Sequence, residues 1–225
     1  MAYGPVFLRH IIALKQRGLL DGCRRVVEIG RQQINDRLIA SPVLDEAIAL
    51  FGGTKPELMP VGGPRITPDS PPGRLLWSAF GMQSKSVDID GGDIRIDLNK
   101  GHVPWRYRGA FDFAVNAGTT EHVANQGNAF AAIHDLVRPG GLMVHQVPAY
   151  GNIDHGFFGY QPKFFHRLSK ANDYEVAQLT LIPQAEIDLL AEYRGDGLPS
   201  RVLPVTLLVV MRRKGRRKFV MPADA

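Results

Sequence analysis

The chain has 225 residues, 44% hydrophobic and 22% charged, the make-up of one ordinary domain with a real core rather than of a disordered chain. No apolar run nears the roughly 20 residues that cross a bilayer, and Met1 to Lys15 lacks the pattern of a secretory signal. The formal charge of +5 raises nucleic acid as a partner, but much of the excess sits in Arg212, Arg213, Lys214, Arg216, Arg217 and Lys218, with no interleaved aromatic to stack on bases. Residues 212–225 therefore read as a solvated basic tail, and nucleic acid as an unexpected partner. Cys23 is the one cysteine and cannot pair within the chain, which fits a cytoplasmic protein.

In chain order, Val6, Phe7, Leu8, Ile11, Ile12 and Leu14 share one face of an amphipathic helix over Val6 to Arg17, stopped by Gly18. This N-terminal helical segment, residues 1–23, is suited either to a homodimer or to capping a sheet. RRVVEIG (Arg24 to Gly30) is a buried strand closing on a turn. Ile34 to Leu50 reads as a helix that Pro42 breaks or restarts. Residues 51–74 are too rich in Gly and Pro for a long helix or central strand, and such loops are often lids or mobile. Leu75 to Met82 reads as a short helix.

SKSVDID (Ser84 to Asp90) and DIRIDL (Asp93 to Leu98) are short strands around Gly91 and Gly92. They read as a hairpin by local rules, or as parallel neighbours with a vestigial crossover. FDFAVN (Phe111 to Asn116) is another strand, after which Thr119 or Thr120 is placed to cap a helix reaching about Val137. Its core face carries Val123, Phe130, Ile133 and Val137, and Arg138-Pro139-Gly140-Gly141 ends it. LMVHQV (Leu142 to Val147), Glu175 to Ile182 and Val202 to Met211 are strands; Pro162 to Asn172 and Ala185 to Glu192 are helices. Apolar strands alternating with helices predict an α/β fold: a Rossmann-like, doubly wound, mostly parallel seven-stranded sheet with an antiparallel edge strand, in a single domain over residues 1–225.

The stretch Phe111 to Pro148, FDFAVNAGTTEHVANQGNAFAAIHDLVRPGGLMVHQVP, resembles the fourth strand, following helix and fifth strand of class I S-adenosylmethionine-dependent methyltransferases. Their pattern is an Asp-containing strand, a Glu-His pair opening a helix, and a Lys/Arg-Pro-Gly-Gly turn before a strand. VVEIG matches the family's first strand and first glycine, SVDID its acidic end of strand two, and IRIDL its Asp beside the adenine. The resemblance spans Arg24 to Val147, is nearest to small-molecule and sugar methyltransferases, and implies that Ser84 to Leu98 forms two parallel strands. It departs at Gly30-Arg31-Gln32-Gln33-Ile34, where the family has Gly-x-Gly-x-Gly. Glycine lets backbone approach a ligand without a Cβ clash, so this degenerate loop bears on cofactor affinity.

The implied cofactor is S-adenosyl-L-methionine, held by Glu28, Gly30, Asp88 (or Asp90), Asp97, Leu98, Asn116, Ala117 and Gly118 at strand carboxyl ends, with Asp88 or Asp90 gripping the ribose diol. His122 is a general-base candidate or a structural histidine of the helix start. His145 reads as a core or rim residue. The loop PAYGNIDHGFFGY (Pro148 to Tyr160) offers Tyr150, His155 and Tyr160 to a small-molecule or sugar acceptor, while Phe157 and Phe158 fit either an acceptor wall or the core. No histidine pair shows a tight ligand spacing such as HExxH, so no metal site is expected, although the Glu121–His122 pair is one that could reach a cation. The implied activity is methyl transfer to that acceptor; the alternative is a catalytically inactive, methyltransferase-like binding or scaffolding protein. A nicotinamide oxidoreductase would want Gly-x-Gly-x-x-Gly after the first strand, which is absent.

Overall fold

The computed structural model describes residues 2–63, 66–152, 155–183 and 204–224. The helix expected over Ala185 to Glu192 lies outside the described residues. Seven strands form one sheet: β1 (Arg25–Ile29), β2 (Gln83–Asp88), β3 (Ile94–Arg95), β4 (Phe111–Ala117), β5 (Val137–Tyr150), β6 (Tyr174–Pro183) and β7 (Val205–Arg213), in the order β3-β2-β1-β4-β5-β7-β6. All neighbours are parallel except those of β7, which runs antiparallel to both β5 and β6. The antiparallel strand is therefore inserted between β5 and the edge strand.

Helices α1 (Pro5–Gln16), α3 (Pro42–Phe51) and α4 (Arg74–Ala79) cover one face, and α5 (Gln126–Leu136) and α6 (Pro162–Asn172) the other. Each face has its own apolar cluster. β4 lies between them with all of its residues buried, which is why its sequence is a continuous apolar run instead of an alternating one. α1 buries Phe7, Leu8, Ile11, Ile12 and Leu14 in the first cluster, so it caps the sheet. Among the described residues no helix is long and apolar enough to cross a membrane.

The structure settles the conflict over Ser84 to Leu98 for the parallel arrangement: Val87 pairs with Ile94 and Asp88 with Arg95. Two contacts make so short a crossover work. The Asp93 carboxylate accepts from the Ser86 N–H and hydroxyl, at 2.8 and 3.0 Å. Gly92 folds so closely on the strand end that a Cβ there would lie 2.5 Å from the Asp88 nitrogen.

The Ile34 to Leu50 segment restarts at Pro42 as its sequence predicts: α2 (Asp36–Ile39) is capped by Asn35, and α3 is capped by Ser41 and opened by Pro42. Two other expectations are not met. Thr119 and Thr120 do not cap the long helix. Thr120–His122 is a 3₁₀ turn, and α5 starts later under Asn125, whose side chain accepts from the Asn128 N–H at 3.0 Å. The basic tail is not simply solvated. Arg213 ends β7, is buried, and donates to the carbonyls of His134 and Val137 at 2.7 Å. Beyond it His134 meets the Arg217 carbonyl, and Asn172 brackets the Val220 backbone.

Candidate functional site

Strand order reverses between β1 and β4, and ligands of open α/β sheets bind outside the carboxyl ends at such a point. There the Gly30 N–H donates to the Val87 carbonyl at 2.7 Å, and Ile29 pairs with Asn116. Gly30 takes a φ of 78°, a left-handed turn that favours glycine. Asp88, at the tip of β2, accepts from the Arg31 N–H at 2.9 Å and the Asp90 N–H at 3.3 Å. Gly30, Asp88 and Asn116 thus stand side by side across β2, β1 and β4.

The residues replacing the family's glycines are occupied. Gln33 and Ile34 form a two-residue parallel bridge with Ala2 and Tyr3. Gln32 is buried, and its amide donates to the Ile29 carbonyl at 3.0 Å and the Thr119 hydroxyl at 3.3 Å. Its Oε1 has no partner. Arg31 extends over the β2–β3 turn, close enough that a Cβ on Gly91 would meet its guanidinium at 2.7 Å.

Glu28 is buried at the carboxyl end of β1. It points to the α1 side of the sheet and accepts from the Tyr3 hydroxyl at 2.8 Å and the Trp77 indole N–H at 2.9 Å. Burial pushes its carboxyl up to about 7. Asp90 is exposed and pairs loosely with Arg95 at 3.6 Å. Asp97 and Leu98 lie past the end of β3: Asp97 accepts from the Asn99 N–H at 2.8 Å, and Leu98 is buried in the second apolar cluster.

Asn116 is buried and its side chain is engaged from three directions. It donates to the Thr120 hydroxyl at 2.8 Å, meets His145 Nδ1 at 3.2 Å, and accepts from the Thr120 N–H at 3.2 Å. An amide nitrogen facing Nδ1 makes that atom the acceptor and puts the imidazole proton on Nε2, which has no partner. Burial pushes His145 down to about 3, so it is neutral. It is a core histidine with one unanswered donor. Ala117 is buried, and Gly118 turns with a φ of 80° while its N–H donates to the Gln146 carbonyl at 3.0 Å.

The next turn holds Glu121 and His122. Glu121 is 1% exposed, and burial pushes its carboxyl up to about 7. Its Oε1 lies 3.8 Å from His155 Nε2, and its Oε2 has no partner among the described residues. His122 is exposed, 5.0 Å from the His155 ring between centroids; partial burial first, then His155, lowers its pKa. Sequence reasoning found Glu121 as half of a pair but not as a buried carboxylate. It found Gln32 only as a lost glycine and missed Gln146, whose Oε1 also has no partner among the described residues.

Tyr150, at the end of β5, and Phe157, in the loop after it, are exposed and Phe158 is partly so, so neither phenylalanine is a core residue. Tyr160 turns inward. It packs against Phe130, Phe164 and Phe165, and its hydroxyl donates to Gln126 at 2.6 Å, so it supports the loop from beneath.

Residues 73–184 match the family model described as a methyltransferase domain. No curated protein matches the sequence. Among solved structures the chain is similar to a Bacillus halodurans C-125 protein solved as a candidate methyltransferase, at 10% identity over 91% of this chain and 99% of that one, with a TM-score of 0.57. It is also similar to a Burkholderia thailandensis 1,6-didemethyltoxoflavin-N1-methyltransferase with bound S-adenosylhomocysteine (14% identity, 92% and 78% covered, TM-score 0.49). A third is an S-adenosylmethionine-dependent methyltransferase from Archaeoglobus fulgidus (12% identity, 91% and 94% covered, TM-score 0.47). At such identities the likeness is one of fold.

Proposed function

We propose that this chain, which carries a methyltransferase domain over residues 73–184, binds S-adenosyl-L-methionine in the crevice beyond β1 to β4 and passes its methyl group to a small-molecule or saccharide acceptor beside the loop after β5. One observation carries this reading: Gly30, Asp88 and Asn116 stand on adjacent strand ends at the point where strand order reverses.

The residues fit an adenosyl ligand. Each Asp88 oxygen already takes one backbone N–H and keeps a lone pair, which suits a ribose diol. Asp90 stands beside it as the alternative. Asp97 and Leu98 flank the adenine end; Ala117 and Gly118 flank the methionine end. The Gln146 oxygen, without a partner among the described residues, suits an ammonium group, since buried acceptors without donors are uncommon in native proteins.

The bound cofactor supplies a methyl group already activated on a positively charged sulfur. The protein's part is to align the acceptor with that carbon and keep water out. Tyr150 and Phe157 give the acceptor an apolar wall, and His122, facing the same mouth, is placed to take a proton where the acceptor must lose one. The basic residues support a small acceptor over nucleic acid. Arg212 pairs with Leu142 at the amino end of β5, so the cluster lies on the rim opposite the crevice.

Calorimetric titration of the whole chain with S-adenosylmethionine tests the reading, and absence of binding at millimolar cofactor ends it. A second reading, a catalytically inactive binding or scaffolding protein, is favoured by Gln32, whose side chain is buried where a glycine would leave room. Binding with no methyl transfer to any of a panel of hydroxylated small molecules and sugars would favour it.

A further inference from the structure

We propose that Glu121, His122 and His155 bind one divalent transition-metal ion at the acceptor mouth of the crevice. Two backbone contacts bring these distant positions together: the Phe157 and Phe158 N–H groups donate to the Glu121 carbonyl at 2.8 and 3.2 Å. Gly156 passes so near that a Cβ there would lie 3.0 Å from that oxygen. The loop after β5 is thereby pinned to the turn after β4, with His155 facing Glu121.

One ligand atom from each residue lies within 4.8 Å of the other two. A tetrahedral ion with bonds of about 2.0–2.1 Å needs its ligands roughly 3.4 Å apart. Glu121 and His155 are already at 3.8 Å. Both imidazoles are exposed and close the remaining gap by rotating about their side-chain bonds.

A second observation points to the ion. Glu121 is 1% exposed, yet among the described residues its Oε2 has no partner. Burying a carboxylate without donors is unfavourable, and among the described residues its one ion-pair partner is His155. A cation against both oxygens and two imidazoles removes that deficit. Two imidazoles and a carboxylate suit zinc and its neighbours, and three protein ligands leave a coordination position open.

The use of the ion rests on the methyl-transfer reading; its binding does not. An acceptor hydroxyl at the open position is acidified and loses its proton to water. His122 then ligates the ion instead of taking that proton.

The test uses untagged, chelator-stripped whole chain, titrated with Co²⁺ by visible absorption and with Zn²⁺ by calorimetry. One equivalent should bind. His122→Ala and His155→Ala should each weaken binding by at least about 10- to 100-fold, the loss that even indirect supports of a metal site produce. His166→Ala, on the exposed side of α6, should bind as the parent does. Both test positions are exposed, and circular dichroism confirms that the variants fold. Absence of binding, or binding retained in both variants, overturns the proposal. Titration with S-adenosylmethionine is read separately, so failure of one reading leaves the other standing.

Discussion

The two rims of the sheet treat their polar groups differently. At the amino ends, Asp112 accepts from the Arg24 and Arg25 N–H groups at 2.7 Å and from Arg138 Nε at 2.8 Å. Arg212 donates to the Gly140 carbonyl, and Arg213 to those of His134 and Val137. Burial alone would raise the Asp112 carboxyl, but Arg138 and the two N–H groups hold it below the ordinary range. At the carboxyl ends, Gln32 Oε1, Glu121 Oε2, His145 Nε2 and Gln146 Oε1 are buried without partners among the described residues. Native proteins leave few such atoms, and each calls for an explanation. One rim uses its polar groups to hold the chain together. The other leaves several of them unanswered, which is the rim where the proposed cofactor would bind.

The comparison is broken most forcefully by removing Asp112. Asp112→Ala leaves the half-exposed Arg138 guanidinium and two backbone N–H groups without their acceptor, an expected loss of about 3 kcal/mol in folding stability from three hydrogen bonds to a charged group. Denaturant unfolding measures it, and cofactor affinity in the folded variant should stay at the parent value. An affinity loss of equal size would mean that the rims are not separable.

Glu28 sharpens the contrast through pH. Its folded carboxyl lies near 7 against an ordinary value of 4.5, so the folded state holds a proton that the unfolded chain releases earlier. The stabilisation is complete below about 4.5 and is lost as pH rises through about 7, a change of about 3 kcal/mol. Glu28→Gln keeps an oxygen for Tyr3 and Trp77 and should remove about half of the slope between pH 5 and 7, because Glu121, pushed up to about 7 by burial, contributes in the same sense. An unchanged slope would assign the effect to another group. Asp112 contributes in the opposite sense: its lowered value means stability present at neutral pH and lost on acidification.

Asp88 tests the ligand side alone. Asp88→Ala should weaken S-adenosylmethionine binding by about 10- to 100-fold, the worth of one or two hydrogen bonds to a charged group. The unfolding midpoint should move little, because the carboxylate is partly exposed and its protein partners are backbone N–H groups at the surface.

The fold was legible where it depends on runs of apolar residues: the strands at Arg24 and Phe111 stand where their sequences put them, while the one expected from Leu142 already begins at Val137 and takes in Arg138-Pro139-Gly140-Gly141. The strand ends were legible too, so Gly30, Asp88 and Asn116 came out as neighbours. What periodicity could not show was direction of pairing. The short parallel crossover at Gly91 depends on Asp93 binding back to Ser86, a contact with no sequence signature. Nor could it show that His155 meets Glu121, since backbone hydrogen bonds of Phe157 and Phe158 bring them together. Tyr160 looked like its neighbours Tyr150 and Phe157, and only packing against Phe130 and Phe165 turned it inward. Arg213 looked like tail because a charge run hides a strand end whose guanidinium caps helix and strand carbonyls.

The smallest expected effect bears on the least regular part of the site, the loop after β1. Gln32 has ordinary backbone dihedrals, since among the described residues Asp173 is the one non-glycine with positive φ. A glycine there is needed for room, not for backbone freedom. Gln32→Gly removes the amide bonds to Ile29 and Thr119 and loosens the chain, which should lower stability by about 1 kcal/mol. It also clears the side chain from between β1 and the turn after β4, and S-adenosylmethionine affinity should then rise on the order of 1 kcal/mol, about fivefold. If affinity falls instead, the free Gln32 oxygen is a contact to the cofactor, and the loop is a working variant of the glycine pattern. If affinity does not move, neither role holds, and Arg31 over the Gly91 turn becomes the side chain that limits entry.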